Sequence, residues 1–192
     1  MLTIQHRVNS AAALARTPHD HGVEVDLRDY DGDLRLVHDP FQDGERFGDW
    51  LKGYAHPLCV FNVKCDGLED AILEQARGIV GDYFFLDCAA PTLVKLLRRG
   101  ERKVALRYSE FEPLEACLAF AGQADWVWVD CFTRLPFTPQ SYVALKRHFK
   151  LCLVSPELQG HGRAAIPVYR QQLRDLGVEL DAVCTDHAED WR

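Results

Sequence analysis

Several features that would assign this 192-residue chain to a familiar class are missing from its sequence. No apolar run approaches the roughly 20 residues that cross a bilayer as a helix. The first ten residues, "MLTIQHRVNS", have neither the charged segment nor the apolar segment of a secretory signal peptide. The G-x-G-x-x-G and P-loop motifs, internal repeats and low-complexity linkers are also missing. We therefore expect a soluble, cytoplasmic protein without a membrane span.

Paired-cysteine motifs are missing as well. The chain has seven cysteines, an odd number, and no C-x-x-C spacing. Five of them lie in or beside apolar, strand-like runs, where a free thiol behaves as a small hydrophobic side chain: Cys59, Cys88, Cys131, Cys152 and Cys184. Their spacing fits no zinc template. We therefore expect reduced, structural cysteines.

Positive charge is scarce. The formal net charge is -7 and the sequence pI is about 5.6, so the chain offers no general basic surface to nucleic acid or to an anionic membrane. Hydrophobic residues make up 47% of the chain, which is normal for a globular protein with a sizeable core. We expect a single domain over residues 1–192. An anionic substrate would have to bind at a local site made of a few cations or a metal.

Eight β-rich runs recur along the chain, with segments of helical periodicity between them. Proline begins several of the helical segments, and Gly100 and Gly177 follow two of them. This alternation predicts an α/β fold, and eight units favour a compact (β/α)8 barrel over a doubly wound open sheet. The predicted strands read "LTIQ", "GVEVDL", "PLCVFNVK", "YFFLD", "KVALRY", "WVWVD", "KLCLVS" and "AVCTD".

Polar side chains follow the ends of these strands, where a barrel builds its active site. Glu24 and Asp26 stand two residues apart on the second strand, so both side chains point to one face. Two carboxylates this close need a cation, and hard oxygen ligands suit Mg2+ or Ca2+. Arg7, after the first strand, and Lys64, on the third, could supply positive charge for an anionic substrate.

Two histidines accompany this set. His6 follows the first strand, and His38 ends the segment that doubles back through Asp31-Gly32. A two-residue hairpin loop would set His38 opposite Val25, on the wrong face of the sheet, whereas a three-residue loop would set it opposite Asp26. The sequence leaves both loops open. Two imidazoles on either side of a phosphate would be a workable acid/base or nucleophilic arrangement.

These motifs, in this order, resemble the glycerophosphodiester phosphodiesterases, a family of (β/α)8 barrels within the phospholipase-C-like phosphodiesterases. The motifs are "HR" after the first strand, "EVD", "HDP", "FNVK" and, on the last strand, "VCTD". The resemblance implies cleavage of a small phosphodiester, with His6 and His38 as the acid/base pair. It also implies that Arg7 and Lys64 bind phosphate oxygens and that Glu24, Asp26 and the residue at position 62 hold a divalent cation, Mg2+ or Ca2+.

The sequence departs from this family at position 62, where the resemblance places a third metal carboxylate. The residue is Asn62, whose amide oxygen can coordinate a metal but brings no charge; Asp66, on the same strand parity, could compensate. Two alternatives to a hydrolase therefore remain. One is a lyase that releases a cyclic phosphate, and the other is a catalytically weak barrel that binds a phosphorylated ligand, in carbohydrate or lipid metabolism.

Overall fold

The computed structural model describes all residues, 1–192, and the chain packs as two compact units. The N-terminal unit comprises residues 5–99, and the C-terminal unit comprises residues 1–4 and 100–192. None of the helices combines the length and the hydrophobicity needed to cross a membrane.

The N-terminal unit is built around β2, its longest strand. The unit contains α1 (Ala11–Leu14), β2 (Gly22–Tyr30), β3 (Asp33–Leu36), β4 (Glu45–Arg46), α2 (Phe47–Trp50), a 3-10 turn (Leu51–Gly53), β5 (Cys59–Val63), α3 (Glu69–Ala76), β6 (Tyr83–Leu86) and α4 (Ala90–Arg98). β2 pairs in parallel with β5, and β5 pairs in parallel with β6. The C-terminal end of β2 pairs antiparallel with β3, which in turn pairs antiparallel with β4.

A tight hairpin makes the chain reverse between β2 and β3. Tyr30 pairs with Asp33, so the loop holds only Asp31 and Gly32, at φ 52° and 78°. Two successive residues with positive φ are the signature of a type I′ turn, which glycine and aspartate accept at low cost. The sequence left the loop length open, and the structure has the two-residue form.

The C-terminal unit carries five strands in the order β1-β10-β9-β8-β7, and the pairs β7·β8, β8·β9 and β9·β10 are parallel. The N-cap of α6 is Thr138, whose hydroxyl accepts from the backbone N–H of Ser141, and Pro139 opens the helix. The elements are β1 (Leu2–Gln5), β7 (Ala105–Tyr108), α5 (Leu114–Leu118), β8 (Trp126–Val129), α6 (Pro139–Lys146), β9 (Lys150–Val154), a 3-10 turn (Pro156–Gln159), α7 (Ala165–Asp175), β10 (Ala182–Thr185) and a 3-10 turn (Ala188–Trp191).

The α/β class is confirmed, but the closed (β/α)8 barrel is wrong in two respects. The sheet is mixed, because β3 and β4 run antiparallel to their neighbours. Its strand pairing is also open, because β6 pairs only with β5 and β7 pairs only with β8. The burial pattern gives a physical reason: β7 alternates buried and half-buried residues, as an edge strand does, whereas β8 and β10 are buried throughout, as interior strands are.

All seven cysteines are free. Cys59, Cys117, Cys131, Cys152 and Cys184 are buried, while Cys65 and Cys88 are half-buried. Burial raises the pKa of Cys131 to about 12, so this thiol stays protonated at neutral pH. The buried cysteines therefore serve as small core side chains.

Candidate functional site

The candidate site lies within the N-terminal unit, on one face of β2. The alternation of a β-strand places Glu24, Asp26 and Arg28 on this face. Glu24 is 1% exposed and Asp26 is fully buried. Asn62, 8% exposed, is the register partner of Asp26 on β5. The structure thus brings the three predicted metal ligands to adjacent positions of two parallel strands.

Both carboxylate oxygens of Glu24 accept hydrogen bonds from protein donors. The backbone N–H of Arg7 donates to Oε2 at 2.7 Å, and Nδ2 of Asn62 donates to Oε1 at 2.8 Å. Burial raises the pKa of Glu24, and the charge of Asp26 raises it further. The charge of His6 and the two hydrogen bonds act in the opposite direction. Glu24 is therefore a buried acid whose ionised form a nearby cation would stabilise.

Asp26 is held by the side chain of Asn9. Nδ2 of Asn9 donates to Oδ2 of Asp26 at 2.8 Å, and Oδ1 of Asn9 accepts from the backbone N–H of Asp26 at 2.9 Å. Two cations are farther away: Nε of Arg7 lies 3.7 Å from Oδ2, and Nζ of Lys64 lies 3.5 Å from Oδ1. Asn9 therefore fixes one oxygen of the carboxylate, while the other oxygen, Oδ1, has only the ammonium of Lys64 at ion-pair distance.

Two buried oxygens in this site accept no hydrogen bond, namely Oδ1 of Asp26 and Oδ1 of Asn62. A buried oxygen without a donor costs free energy, about 1–3 kcal/mol, unless a ligand satisfies it. Both atoms belong to register partners, and both are the hard oxygen donors that Mg2+ and Ca2+ take. The residues present therefore fit a divalent cation, which Asp26 and Asn62 would hold together with Glu24.

Lys64 bridges two carboxylates. Its ammonium nitrogen lies 3.0 Å from Oδ2 of Asp87 and 3.5 Å from Oδ1 of Asp26. Asp87 follows β6 with a φ of 65°, a left-handed conformation that a residue other than glycine seldom adopts. Asp66, the residue expected to compensate for Asn62, is exposed beyond the end of β5. Asp87, rather than Asp66, is thus the further carboxylate that pairs with Lys64 at this site.

His38 lies beyond the strand ladder, and its side chain is 41% exposed. The two-residue loop would have set it opposite Val25, but β3 ends at Leu36. Nδ1 of His38 lies 2.8 Å from Oδ1 of Asp39, and this hydrogen bond is the main reason that the pKa of Asp39 is lowered. The positive charge of Arg7 lowers it further, so the pair lies within electrostatic range of a predicted phosphate ligand.

Sequence reasoning missed two residues of this site, Asn9 and Arg28. Arg28 donates to the backbone carbonyls of His38 and Lys64, at 2.9 Å and 3.0 Å. The alternation that selected Glu24 and Asp26 also points to Arg28, two residues farther along the same face. No comparable signal indicates Asn9, because the turn at Arg7, with a φ of 50°, brings it back to β2.

A second acidic group, in the C-terminal unit, is less suited to a cation. His187, Glu189 and Asp190 place potential ligand atoms within 4.8 Å of one another. The guanidinium of Arg163 already binds this group, at 2.8 Å from Glu189 and 2.6 Å from Asp190. Both carboxylates therefore have a counter-charge.

The arrangement on β2 can hold a hard cation beside Arg7 and Lys64, and the charge of His6 acts on Glu24. Such a set can bind a phosphate-like anion, polarise it and transfer protons around it. Searches of protein-family models and of curated proteins find no match for this chain.

Proposed function

We propose that this chain is a metal-dependent phosphodiesterase that hydrolyses a glycerophosphodiester, or a similar small phosphodiester, to an alcohol and a phosphomonoester. The observation that carries the proposal is the pair of buried oxygens without donors, Oδ1 of Asp26 and Oδ1 of Asn62. Arg7 and Lys64 both approach the carboxylate of Asp26. The order of motifs described above supports the same reaction class.

The charge of the site supports a requirement for the ion. Four carboxylates face three permanent cations: Glu24, Asp26, Asp39 and Asp87 against Arg7, Arg28 and Lys64. With all of them ionised, the site has one excess negative charge and repels a phosphodiester anion. A divalent cation reverses the excess to one positive charge. Substrate binding should therefore depend on the metal.

The protein side chains divide the remaining work. Arg7 and Lys64 bind the non-bridging phosphate oxygens, Arg7 through its planar fork and Lys64 as a point charge. His6 and His38 act as the acid/base pair: one imidazole takes the proton of the attacking hydroxyl as the new P–O bond forms, and the other protonates the departing alcohol oxygen. A bound cation would lower the pKa of the attacking hydroxyl and offset charge on the phosphoryl oxygens.

The nature of the attacking hydroxyl defines a close alternative. In many members of the family that the motifs resemble, a hydroxyl of the substrate's own glycerol attacks, and water then opens the cyclic phosphate. A chain that stops at the cyclic product would be a lyase. We propose that the protein acts in the cytoplasm, on a small head group rather than on nucleic acid; its free cysteines and its net charge of -7 support this proposal.

Asn62 favours a second candidate function, binding of a phosphorylated ligand with little catalysis. An amide ligand brings no charge, so the ion would be held more weakly than by three carboxylates. This candidate keeps the anion-binding roles of Arg7 and Lys64 and removes the chemistry. Measured turnover separates the two functions.

The test is hydrolysis of bis(p-nitrophenyl) phosphate and of glycerophosphocholine, with EDTA or with Mg2+, Ca2+ or Mn2+. The variants are His6→Ala, His38→Ala and Glu24→Ala, and the matched control is His148→Ala, an exposed histidine of the C-terminal unit. We expect metal-dependent turnover that falls by at least about 100-fold in the three site variants and stays unchanged in the control. Phosphorus NMR of the products distinguishes the monoester from the cyclic phosphate.

Absence of turnover with every metal, in folded protein, would reject the phosphodiesterase and leave the binding function. Metal-independent turnover that survives in Glu24→Ala would reject the proposed role of β2.

A further inference from the structure

Arg28 connects two segments of the candidate site through main-chain atoms. Its Nε donates to the carbonyl oxygen of His38 at 2.9 Å, and its Nη1 donates to the carbonyl oxygen of Lys64 at 3.0 Å. Nη1 also lies 3.5 Å from Sγ of Cys65. The guanidinium is therefore engaged with the backbone on both sides, and it does so from the face of β2 that carries Glu24 and Asp26.

Each of the two segments lies just beyond the end of a strand. His38 lies beyond the end of β3, where the strand ladder no longer fixes the chain. The last bond of that hairpin is from the backbone N–H of Val37 to the carbonyl of Asp26, at 3.0 Å. Lys64 follows the last residue of β5, and its N–H donates to the carbonyl of Leu27 at 2.9 Å. One guanidinium thus ties together the main chain of a proposed acid/base residue and of a proposed phosphate ligand.

We infer that Arg28 is a positioning residue, which sets the distance between His38 and Lys64 so that both side chains face the same phosphate. This inference rests on the proposed function. The guanidinium suits the task because its planar fork offers several donors in a fixed geometry, whereas a lysine ammonium is a single flexible point charge. Proton transfer and phosphate binding must be aligned to within a fraction of an ångström, and misplacement by 1 Å can cost about 100-fold in rate.

The hairpin supplies a matched control in Arg35, the register partner of Arg28 on β3. Arg35 also bonds a carbonyl, that of Gly44 at 3.2 Å, and it pairs with Asp33 and Asp43 at 3.6 Å and 3.4 Å. These contacts are with residues other than His38 and Lys64. An Arg-to-Lys change at position 35 removes the same chemical group from the same hairpin.

The kinetic experiment compares Arg28→Lys, Arg28→Gln and Arg35→Lys with the wild-type chain, in saturating metal. Because Arg28 is directed at the backbone, we expect kcat to fall by about 10- to 100-fold in both Arg28 variants while KM changes by less than about threefold. Arg35→Lys should keep both constants. Arg7→Gln, which removes a direct phosphate ligand, should show the opposite split, with the larger change in KM.

Hydrogen exchange of the Val37 and Lys64 amides provides a readout that does not require activity. Both N–H groups are hydrogen-bonded to β2. Loss of the fork should speed their exchange by at least about tenfold in Arg28→Lys and Arg28→Gln, and leave it unchanged in Arg35→Lys. Far-UV circular dichroism establishes whether each variant is folded. If Arg28→Lys is unfolded, the comparison uses Arg28→Gln alone.

The outcomes separate this inference from the proposed function. If the wild-type chain has no turnover, the phosphodiesterase fails, and the exchange data alone support or overturn the positioning role. If the wild-type chain turns over and both Arg28 variants keep kcat within threefold of Arg35→Lys, Arg28 is not a positioning residue. A rise in KM at constant kcat would also overturn the inference, because Arg28 would then bind substrate directly.

Discussion

The two units both bury charged side chains near the ends of their parallel strands, but they satisfy them differently. In the C-terminal unit, Asp130 is 1% exposed and binds the guanidinium of Arg107 and, at 2.8 Å, Nε2 of Gln159. Oε1 of Glu157 accepts from the hydroxyl of Thr185 at 2.5 Å, and Oε2 accepts from a neighbouring serine. In the N-terminal unit, Oδ1 of Asp26 on β2 and Oδ1 of Asn62 on β5 accept no hydrogen bond.

The contrast extends to the whole of each unit. Nine buried side-chain nitrogen or oxygen atoms lack a hydrogen-bond partner, and eight of them belong to residues 5–99; the ninth is Oε2 of Glu110. All four residues other than glycine with positive φ also lie in this unit: Arg7, Asp31, Phe41 and Asp87. Unsatisfied polar atoms and strained backbone cluster at functional sites more often than elsewhere, and two of these atoms, on Asp26 and Asn62, belong to the candidate site. The comparison suggests a hypothesis: the buried charges of the C-terminal unit serve stability, and those on β2 are kept for a ligand.

The largest expected effect is a contrast between two buried carboxylates: changing Glu24 should cost turnover, whereas changing Asp130 should cost stability. Glu24→Gln should reduce metal-dependent turnover by at least about 100-fold and leave the free energy of unfolding in EDTA unchanged or higher, since it removes a poorly compensated buried charge. Asp130→Asn should lower the free energy of unfolding by about 2–3 kcal/mol, because Arg107 loses its ionic partner, with turnover within a few-fold of wild type. Urea denaturation and the phosphodiesterase assay measure both. Loss of turnover in Asp130→Asn at unchanged stability would contradict the division between the units.

The next test makes the open site more like a complete carboxylate set. Asn62→Asp should tighten Mg2+ or Ca2+ binding by about 10- to 100-fold, because affinity rises with ligand charge, and should destabilise the metal-free protein through repulsion from Glu24 and Asp26. Isothermal titration calorimetry gives the affinity, and thermal unfolding in EDTA gives the stability. Gln123→Glu, at an exposed position of the C-terminal unit, controls for the added charge. Equal affinity in Asn62→Asp and wild type would remove position 62 from the ligand set.

A pH test addresses unpartnered atoms away from the site. His56 is 7% exposed, its Nδ1 lies 3.0 Å from the carbonyl oxygen of His21, and the rings of His19 and Tyr54 pack against it. Burial lowers the pKa of His56, and the charges of His19 and His21 lower it further. The unfolded chain therefore binds the proton first, and the free energy of unfolding should fall as the pH drops below about 6.5.

Urea denaturation between pH 7.5 and pH 5.5 measures this slope. His56→Gln should make it shallower, while His148→Gln, at an exposed histidine, should not. An unchanged slope in His56→Gln would assign the pH dependence to other groups.

The smallest expected effect concerns strain. Phe41 is 98% exposed and has a φ of 61°. Phe41→Asn should raise the free energy of unfolding by about 1 kcal/mol or less, since asparagine tolerates the left-handed region better. Phe111→Asn, at a phenylalanine that is 70% exposed and has no positive φ, should give no such gain. Thermal unfolding in EDTA checks the pair, and equal shifts would mean that the backbone conformation at position 41 is not strained.

Much of the fold could be predicted from local patterns. All eight predicted strand segments are strands, and Leu2–Gln5 has the predicted bounds. Apolar runs and helical periodicity are local properties that residue order records directly. Sheet closure is not local, because it depends on which edges find partners. The alternation of Leu106 and Tyr108 with the charged Arg107 was the signal for an edge strand in the sequence, and β4, with two residues, was too short to leave one.

The candidate site divides along the same line. Strand parity predicted that Glu24 and Asp26 share a face, and the structure places Asn62 beside them. The hydrogen bonds of Arg28 and Asn9 join residues 10 to 36 positions apart, and they depend on turns whose geometry the sequence left open. The local sequence pattern thus predicted the charged residues of the site, whereas the residues that hold them in place, Asn9 and Arg28, are seen only in the tertiary structure.

The amide at position 62 has a consequence for timing. A site with two carboxylates and one neutral oxygen holds its ion less tightly than a site with three carboxylates, and weaker binding generally means a shorter residence time. Occupancy would then follow the surrounding concentration of the free ion instead of remaining saturated. A catalyst built in this way would respond in a graded manner to the supply of its ion, with no separate regulatory site.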